Sequence, residues 1–280
     1  MKKIIVAFDG LKYSKAAAEY AIDFAAQMEA HLVGVFLDDF SYHSYKIYEL
    51  VHNERDIFEE KIEQFENKDK YSRDRAAEQF ELACRDAAIN HSIHHDKNIA
   101  IQEILHESIY ADLIIVDGKE TLTHYEEDKP TKFIRDLLIN SECPIIVTPG
   151  TYKKIKKVVF LYDGGPSSVY AIKMFSYTLP QMKDLEVEVI SVKEGMQTMH
   201  LSDGRLMKEF MKRHFPKAEY TILKGLADIE IIKHLRHKSP EELVVLGAYR
   251  RSTVSRWFKP SMADFLMQEL RSPLFIAHNK

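Results

Sequence analysis

Four basic side chains crowd one short segment near the end of the sequence, and basic groups at this density suit an anionic ligand. Arg250, Arg251, Arg256 and Lys259 can each donate charge-assisted hydrogen bonds to phosphate oxygens. Pro260 follows them, and proline suits the first turn of a helix. Because the N-terminus of a helix also attracts anions, the segment predicts a loop that holds phosphate or another small anion.

Aromatic residues lie among these arginines and raise an alternative, which is stacking on nucleic acid bases. They are Tyr249, Trp257 and Phe258. One loop is a small footprint for nucleic acid, and the whole chain has a formal net charge of −4. Packing of the aromatic rings onto the protein is the favoured interpretation, and no nucleic acid partner is expected.

Two aspartates each end an apolar run and precede a glycine, at Asp9 and Asp163. An Asp-Gly pair forms turns readily, so both residues have a structural interpretation. For Asp163, contact with a ligand is an equal alternative. Asp9 lies in an acidic half of the chain and is expected to be structural.

The densest set of candidate metal ligands is His91, His94, His95 and Asp96. Zinc needs ligands that converge, whereas the alternation of side chains along a strand sends His94 and His95 to opposite faces. No metal site is therefore predicted. No Ser, His and Asp set and no Cys and His pair can be placed on adjacent loops, so the sequence does not predict an enzyme.

The composition is that of a globular protein, with 45% hydrophobic and 29% charged residues. The apolar runs are far shorter than the roughly 18 residues that span a bilayer, so no membrane association is expected. Cys84 and Cys143 are the only cysteines, and neither has a metal-type spacing. Two reduced thiols are typical of a cytoplasmic protein.

The sequence contains an internal repeat, which predicts two domains of the same fold joined head to tail. Pairs of similar segments occur in the same order in both halves. They are KKIIVAFDG (2–10) with KKVVFLYDG (156–164), DLIIVD (112–117) with ELVVLG (242–247), and CPIIV (143–147) with SPLFI (272–276).

The repeat places the domains at residues 1–150 and 151–280, and extra residues in the first half place an insertion at about 40–70. The insertion mixes apolar residues with Glu, Lys and Asp and is predicted to form one long helix or two short ones. The first domain has 17 basic and 29 acidic residues, and the second has 22 and 14. The two domains therefore cannot share one ligand preference.

Short β-branched runs alternate with amphipathic segments of helical length, which predicts parallel strands joined by crossover helices. The first domain is predicted to have strands at about 3–9, 31–37, 91–95, 111–117 and 144–148, and helices at about 14–29, 70–89, 99–109 and 130–140. The second is predicted to have strands at about 156–162, 186–192, 218–223, 242–247 and 273–277. Such sheets bind ligands at the carboxyl ends of the strands, so the candidate loops begin at Asp9, Asp117, Asp163 and Gly247.

In these features the sequence resembles the universal stress protein family in its tandem form. VAFDG (6–10) and FLYDG (160–164) are similar to the family's first strand with its terminal aspartate. VVLGAYRRS (244–252) looks like the family's fourth-strand signature, and PIIV (144–147) and PLFI (273–276) are similar to its last strand. The resemblance implies an α/β fold of two doubly wound, Rossmann-like domains, each with a five-stranded parallel sheet in the order 3-2-1-4-5.

Members of this family that bind ATP carry the pattern G-x2-G-x9-G-S/T after the fourth strand. In the second domain its positions are Gly247, Arg250, Pro260 and Ser261, so one glycine and the hydroxyl remain. Arginine replaces a glycine at which the backbone would approach phosphate closely. The resemblance implies ATP or AMP as candidate ligands of this domain, and Asp163 then borders the base or the ribose.

The same positions in the first domain are Asp117, Glu120, Pro130 and Thr131, so no glycine of the pattern remains. The loop also contains Glu126, Glu127 and Asp128. Carboxylates repel a polyphosphate, and no ordinary nucleotide site is expected in the first domain. Thr131 is expected to cap a helix.

The candidate ligand-binding residues therefore all belong to the second domain. They are Asp163, Gly164, Val192, Gly247, Arg250, Arg251, Lys259 and Ser261. Residues 163–168 (DGGPSS) also resemble the SGGxDS loop of ATP pyrophosphatases, but Asp163 replaces the first serine and Ser167 replaces the aspartate. That resemblance is therefore not adopted.

The resulting hypothesis is a cytoplasmic stress-response protein that binds a nucleotide or another small phosphorylated anion in its second domain. One alternative is an enzyme that hydrolyses or transfers a nucleotide phosphate at the Asp163 and Gly247 loops. Another is a protein-interaction module that uses the inserted charged helix. The strands at 144–148 and 273–277 are expected to pair, as final strands of this family do across a two-fold axis, and to form an intrachain pseudo-dimer.

Overall fold

The computed structural model describes residues 2–39, 58–123, 126–193, 200–236, 241–248 and 261–278. Its contacts divide the chain into two compact units, Met1–Glu142 and Cys143–Lys280. This division lies a few residues before the predicted domain boundary at 150. In the described part of the chain, every helix is too short or too polar to traverse a bilayer.

The first unit alternates strands with helices, as the sequence pattern predicts. Its described elements are β1 (Lys3–Asp9), α1 (Lys15–Met28), β2 (His31–Asp39), α2 (Phe58–Asp86), β3 (His91–Asn98), α3 (Ala100–Ser108), β4 (Leu113–Asp117) and α4 (Lys132–Asn140). β1 lies between β2 and β4 and is parallel to both, and β3 is parallel to β2 on the far side.

The strand β1 is buried along nearly its whole length, with Ile4, Ile5, Val6 and Phe8 each 0% exposed. A strand covered by helices on both faces needs apolar residues at successive positions rather than at alternate ones. This requirement explains the unbroken apolar run that marks the start of each half of the sequence. The carboxyl end of β1 is therefore a rigid base for the loop that follows Asp9.

The predicted helix at 70–89 and the described part of the predicted insertion form one element rather than two. Helix α2 runs without a break from Phe58 to Asp86, and residues 40–57 lie outside the described residues. The segment contains no Gly or Pro to end a helix. The separate helix start predicted near residue 70 is wrong for this reason. Phe80 and Cys84 of α2 are fully buried.

The second unit repeats the same alternation and adds one strand at its start. Its described elements are β5 (Ile145–Thr148), β6 (Lys157–Leu161), α5 (Pro166–Thr178), a 3₁₀ helix (Pro180–Asp184), β7 (Glu186–Lys193), α6 (Gly204–His214), β8 (Glu219–Lys224), α7 (Ala227–Arg236), β9 (Glu242–Gly247), α8 (Met262–Glu269) and β10 (Leu274–Ala277). Parallel pairing gives the order β8-β7-β6-β9-β10, which is the predicted order 3-2-1-4-5.

The strand β5 pairs with β10 and is antiparallel to it, with Val147 opposite Leu274 and Ile145 opposite Ile276. The predicted pairing of residues 144–148 with 273–277 is therefore confirmed. By its contacts β5 falls in the second unit, although its sequence motif closes the first repeat. The free edge of β10 is covered, and this covering leaves no unpaired row of backbone groups there.

In each unit, a lysine at the start of the first strand and a histidine contact the same glutamate. The contacts are Lys3–Glu107 (2.6 Å) and His94–Glu107 (2.7 Å) in the first unit, and Lys157–Glu188 (2.7 Å) and His234–Glu188 (2.8 Å) in the second. The two lysines occupy equivalent positions of the repeat. The glutamate comes from helix α3 in one unit and from strand β7 in the other, so the same contact is made from different elements.

Candidate functional site

A cavity of about 470 Å³ opens at the carboxyl ends of β6, β7 and β9 in the second unit. Asp163, Val192 and Gly247, which the sequence predicts to bind a ligand, all line it. Most of its remaining wall is apolar and comes from Leu161, Ile190, Ala227, Ile231, Leu246 and Met262. The cavity lies where a doubly wound sheet reverses its strand order, which is the expected position for a ligand.

The loop after β6 is shaped by Asp163. Its Oδ1 accepts hydrogen bonds from the backbone N–H of Gly165 (2.7 Å) and from the hydroxyl of Ser168 (2.6 Å). Gly164 has a φ of +86°, and a Cβ on it would lie 2.7 Å from Cβ of Ser202. Glycine is required there because any other residue would be strained at this positive φ and its Cβ would clash with Ser202.

Helix α5 begins directly after this loop and has no side chain on its N-terminal N–H groups. Gly165 is the N-cap and makes no side-chain cap hydrogen bond, and Pro166 occupies the first turn. The first N–H groups of a helix carry partial positive charge and need acceptors. Asp163 accepts from the N–H of the N-cap Gly165, and the N–H groups of the following turn of α5 suit an anionic group at the cavity.

Gly247 at the end of β9 has a structural explanation independent of any ligand. A Cβ at this position would lie 2.3 Å from the carbonyl oxygen of Ser167 and 2.6 Å from its Oγ. The start of helix α5 thus packs directly on the backbone of β9. The glycine that the sequence assigns to a ligand is needed first for close packing between strand and helix.

Ser261 lies at the N-cap of helix α8, where it forms a capping box with Asp264. Its Oγ accepts from the N–H of Asp264 (3.3 Å), and its own N–H donates to Oδ2 of Asp264 (3.1 Å). Asp264 is 6% exposed, so a carboxylate already lies at this helix N-terminus. The neighbouring Met262 lines the cavity.

Three predicted ligand-binding residues, Arg250, Arg251 and Lys259, lie outside the described residues. The same is true of the aromatic residues Trp257 and Phe258.

Sequence reasoning missed four polar residues of the cavity, Tyr162, Ser168, Lys193 and Ser202. The ammonium of Lys193 donates to Oγ of Ser202 (2.5 Å), and the hydroxyl of Tyr162 donates to its carbonyl oxygen (2.9 Å). Burial, followed by the charges of Asp203 and Asp163, raises the pKa of Tyr162. Lys193 ends β7 directly after Val192, so the strand-end rule that selected Val192 also selects Lys193.

The corresponding loop of the first unit holds a carboxylate of its own. Glu120 is 7% exposed. Its Oε1 accepts from the N–H groups of Thr121 (3.1 Å) and Leu122 (3.4 Å), and its Oε2 accepts from the N–H of Asp9 (3.3 Å). Backbone N–H groups of this kind bind anions at the ends of strands. In this unit the loop's own glutamate already occupies them.

The acidic groups around Glu120 lie close enough to influence one another. Burial and then the charge of Asp9 raise the pKa of Glu120 to about 7, and Asp117 adds to the effect. Burial also raises the pKa of Asp9, against the opposing contacts from Leu11 and Lys12. An external phosphate would add negative charge to a loop in which burial and neighbouring carboxylates already disfavour the charged form of Glu120 and Asp9.

Asp117 links the end of β4 to the start of helix α1. Its Oδ2 accepts from the hydroxyl of Ser14 (2.6 Å), and Ser14 in turn accepts from the N–H of Ala17 as the N-cap of α1. Asp9 accepts from the N–H of Leu11 (2.9 Å) in its turn. The acidic residues of this unit thus stabilise loops and helix ends, as expected for Asp9.

Thr131 is the N-cap of helix α4 and is completely buried, which confirms the predicted cap. Its Oγ1 accepts from the N–H of Ile134 (3.2 Å), and its hydroxyl donates to the carbonyl of Glu120 (2.5 Å).

Thr131→Ala is expected to lower the free energy of unfolding by about 1 to 2 kcal/mol, because the N–H of Ile134 and the carbonyl of Glu120 each lose a buried partner. Urea denaturation measures this loss. Thr131→Ser keeps the hydroxyl, so its loss of unfolding free energy should be less than half as large. Equal losses in the two variants would contradict the capping role of the hydroxyl.

The histidines considered as candidate metal ligands contact different partners. Nδ1 of His94 lies 2.7 Å from Glu107, whereas the ring of His95 stacks on Phe36 at 5.7 Å. Within the described ranges, no group of three or more His, Cys, Asp or Glu side chains is placed to hold a metal ion.

Comparisons with known proteins agree with this architecture. A model of the Universal stress protein family matches residues 1–149. The chain is similar to the solved structure of a universal stress protein from Archaeoglobus fulgidus DSM 4304, with a TM-score of 0.64 and 15% identity over 99% of this chain and 98% of that chain. It is also similar to a putative universal stress protein from Pseudomonas aeruginosa UCBPP-PA14, with a TM-score of 0.57 and 16% identity over 99% and 92% of the two chains. No curated protein sequence matches the chain significantly.

Proposed function

Because the chain belongs to the universal stress protein family in a two-domain form, we propose that it acts in the stress response by binding a nucleotide or another small phosphorylated anion in its second unit. The cavity at the ends of β6, β7 and β9 carries this proposal. Its volume and mostly apolar wall are typical of sites for small molecules. Cys84 and Cys143 are not joined in a disulfide, which supports a cytoplasmic location.

The polar groups of the cavity fit such a ligand at separate places. The uncapped start of helix α5 supplies N–H groups for the anionic end. Asp163 lies at the cavity wall and can accept from a ribose hydroxyl. Arg250, Arg251 and Lys259 follow Gly247 in the sequence, and each carries a positive charge. We propose no nucleotide site in the first unit, where Glu120 occupies the loop N–H groups.

Isothermal titration calorimetry of the full chain with ATP, AMP, GTP and GMP tests the proposal. We expect saturable binding of at least one of these nucleotides with one site per chain. Ala227→Phe places a ring in the cavity, because Ala227 lines it, and is expected to weaken binding at least tenfold. Ile229→Phe is the matched control, since Ile229 lies on the same helix, is 44% exposed and does not line the cavity.

Two results would overturn the proposal. The first is the lack of saturable binding of all four nucleotides. The second is binding that survives Ala227→Phe, because the ligand would then lie elsewhere on the chain.

The enzymatic alternative is separated by measuring phosphate release from ATP and GTP. For a protein that acts by binding, release should remain at the rate of the nucleotide in buffer. Release that exceeds this rate and is lost in Ala227→Phe would establish turnover in the cavity and replace the binding proposal.

A further inference from the structure

Lys193 supplies the one cationic side chain among the described residues that line the cavity. It is the last residue of β7, and its carbonyl oxygen accepts from the N–H of Gly225 (3.0 Å). Its ammonium donates to Oγ of Ser202, which also lines the cavity. The end of β7 thus presents a hydrogen-bond donor at a fixed position.

This donor lies on the opposite side of the cavity from Gly247 at the end of β9. The strand order β9-β6-β7 separates the two by two strand spacings, which is roughly 10 Å. That separation matches the distance between the phosphate and the far edge of the base in a nucleotide. A nucleotide whose phosphate lies near β9 and the start of α5 therefore presents its base to Lys193.

The cavity wall between Lys193 and Gly247 suits a flat aromatic ring. Ile190, Ile231 and Leu246 line it, and contact with such side chains favours any purine about equally. The choice between purines must then come from the polar edge of the base. An apolar wall cannot discriminate between groups of the same size, whereas a placed hydrogen-bonding group can.

An ammonium group has three donors and no acceptor. Guanine presents two adjacent acceptors, O6 and N7, and these form the most common base contact of lysine and arginine. Adenine presents N7 beside an amino group, and that amino group would face the donors of Lys193 unpaired. The ammonium of Lys193 at the end of β7 therefore favours a base that carries an oxo group.

We infer that the second unit prefers guanine nucleotides to adenine nucleotides and that Lys193 determines this preference. This inference rests on the proposed binding of a nucleotide in the cavity. Lys193 is a specificity-determining residue that contacts the base, and a preference of about 10- to 100-fold is expected from one such contact.

Calorimetric titration of the full chain with GMP and AMP provides the test. Wild-type protein should bind GMP at least tenfold more tightly than AMP. Lys193→Met should weaken GMP binding about tenfold or more and leave AMP binding within about twofold, so that the preference disappears. Lys193→Arg should retain it, because arginine offers the same donors to O6 and N7.

Lys224→Met is the matched control. Lys224 lies opposite Lys193 in the register of β7 and β8, is exposed and does not line the cavity. This variant should keep the wild-type preference. Thermal melting of each variant without ligand separates loss of contact with the base from loss of folding.

The outcomes distinguish the two proposals. AMP binding that equals or exceeds GMP binding and is lost in Ala227→Phe overturns the guanine preference and leaves the cavity as the nucleotide site. An unchanged GMP to AMP ratio in Lys193→Met overturns the role of Lys193. If neither GMP nor AMP binds, the guanine preference is overturned, and the proposed function is overturned as well only if ATP and GTP also fail to bind.

Discussion

Gly247→Ala is expected to destabilise the second unit by about 3 kcal/mol, even without any ligand. The added Cβ would lie 2.3 Å from the carbonyl oxygen of Ser167 and 2.5 Å from its carbonyl carbon. These are backbone atoms at the start of α5, so the clash cannot be relieved by a side-chain rotation. Strand β9 and helix α5 must separate instead. Urea denaturation of the ligand-free chain measures the effect.

Gly150→Ala is the matched control for this prediction, because a Cβ at Gly150 has no atom within 4 Å. Its free energy of unfolding should stay within about 0.5 kcal/mol of the wild type. If Gly247→Ala also melts like the wild type while nucleotide binding is lost, the glycine serves the ligand and the packing explanation is wrong.

The stability of the first unit is expected to fall as the pH rises from about 4.5 to about 7, because of Glu120. Its folded-state pKa of about 7 lies above the ordinary value of 4.5. Between these values the folded chain holds a proton that the unfolded chain has released, so acid favours the folded state. Above pH 7 the buried carboxylate costs on the order of 3 kcal/mol, since one pKa unit corresponds to about 1.4 kcal/mol.

Glu120→Gln should remove this part of the pH dependence. The variant loses one acceptor and should be less stable than the wild type at pH 5, and its relative stability should rise towards pH 8. Hydrogen exchange of the β1 amides, corrected for intrinsic rates, reports on this unit alone. The raised pKa of Asp9 acts in the same direction, so part of the slope should remain.

Glu126→Gln is the control for this series, because Glu126 follows in the same connection and is exposed. It should leave the pH dependence of β1 protection unchanged. Equal pH slopes in the wild type and Glu120→Gln would show that Glu120 does not titrate between pH 5 and pH 8 and would contradict the burial argument.

The central strands β1, β4, β6 and β9 could be predicted closely because buried parallel strands require unbroken apolar runs, as in the segment from Ile4 to Phe8. The position of the site could be predicted because the carboxyl ends of such strands meet at one edge of a sheet. The close approach of Ser167 to Gly247 could not be predicted, since it depends on how a helix packs across the sheet. The same limit applies to Glu120, whose carboxylate reaches backbone groups that only a folded loop brings together.

The pairing of β5 with β10 determines how the protein can be divided into halves for expression. A chain that begins at residue 151, where the sequence repeat suggests, would lack the strand opposite Leu274 and Ile276. Its exposed β10 could then recruit a strand from a neighbouring molecule and cause aggregation. A second half that begins at Cys143 retains β5 and keeps this edge of β10 paired.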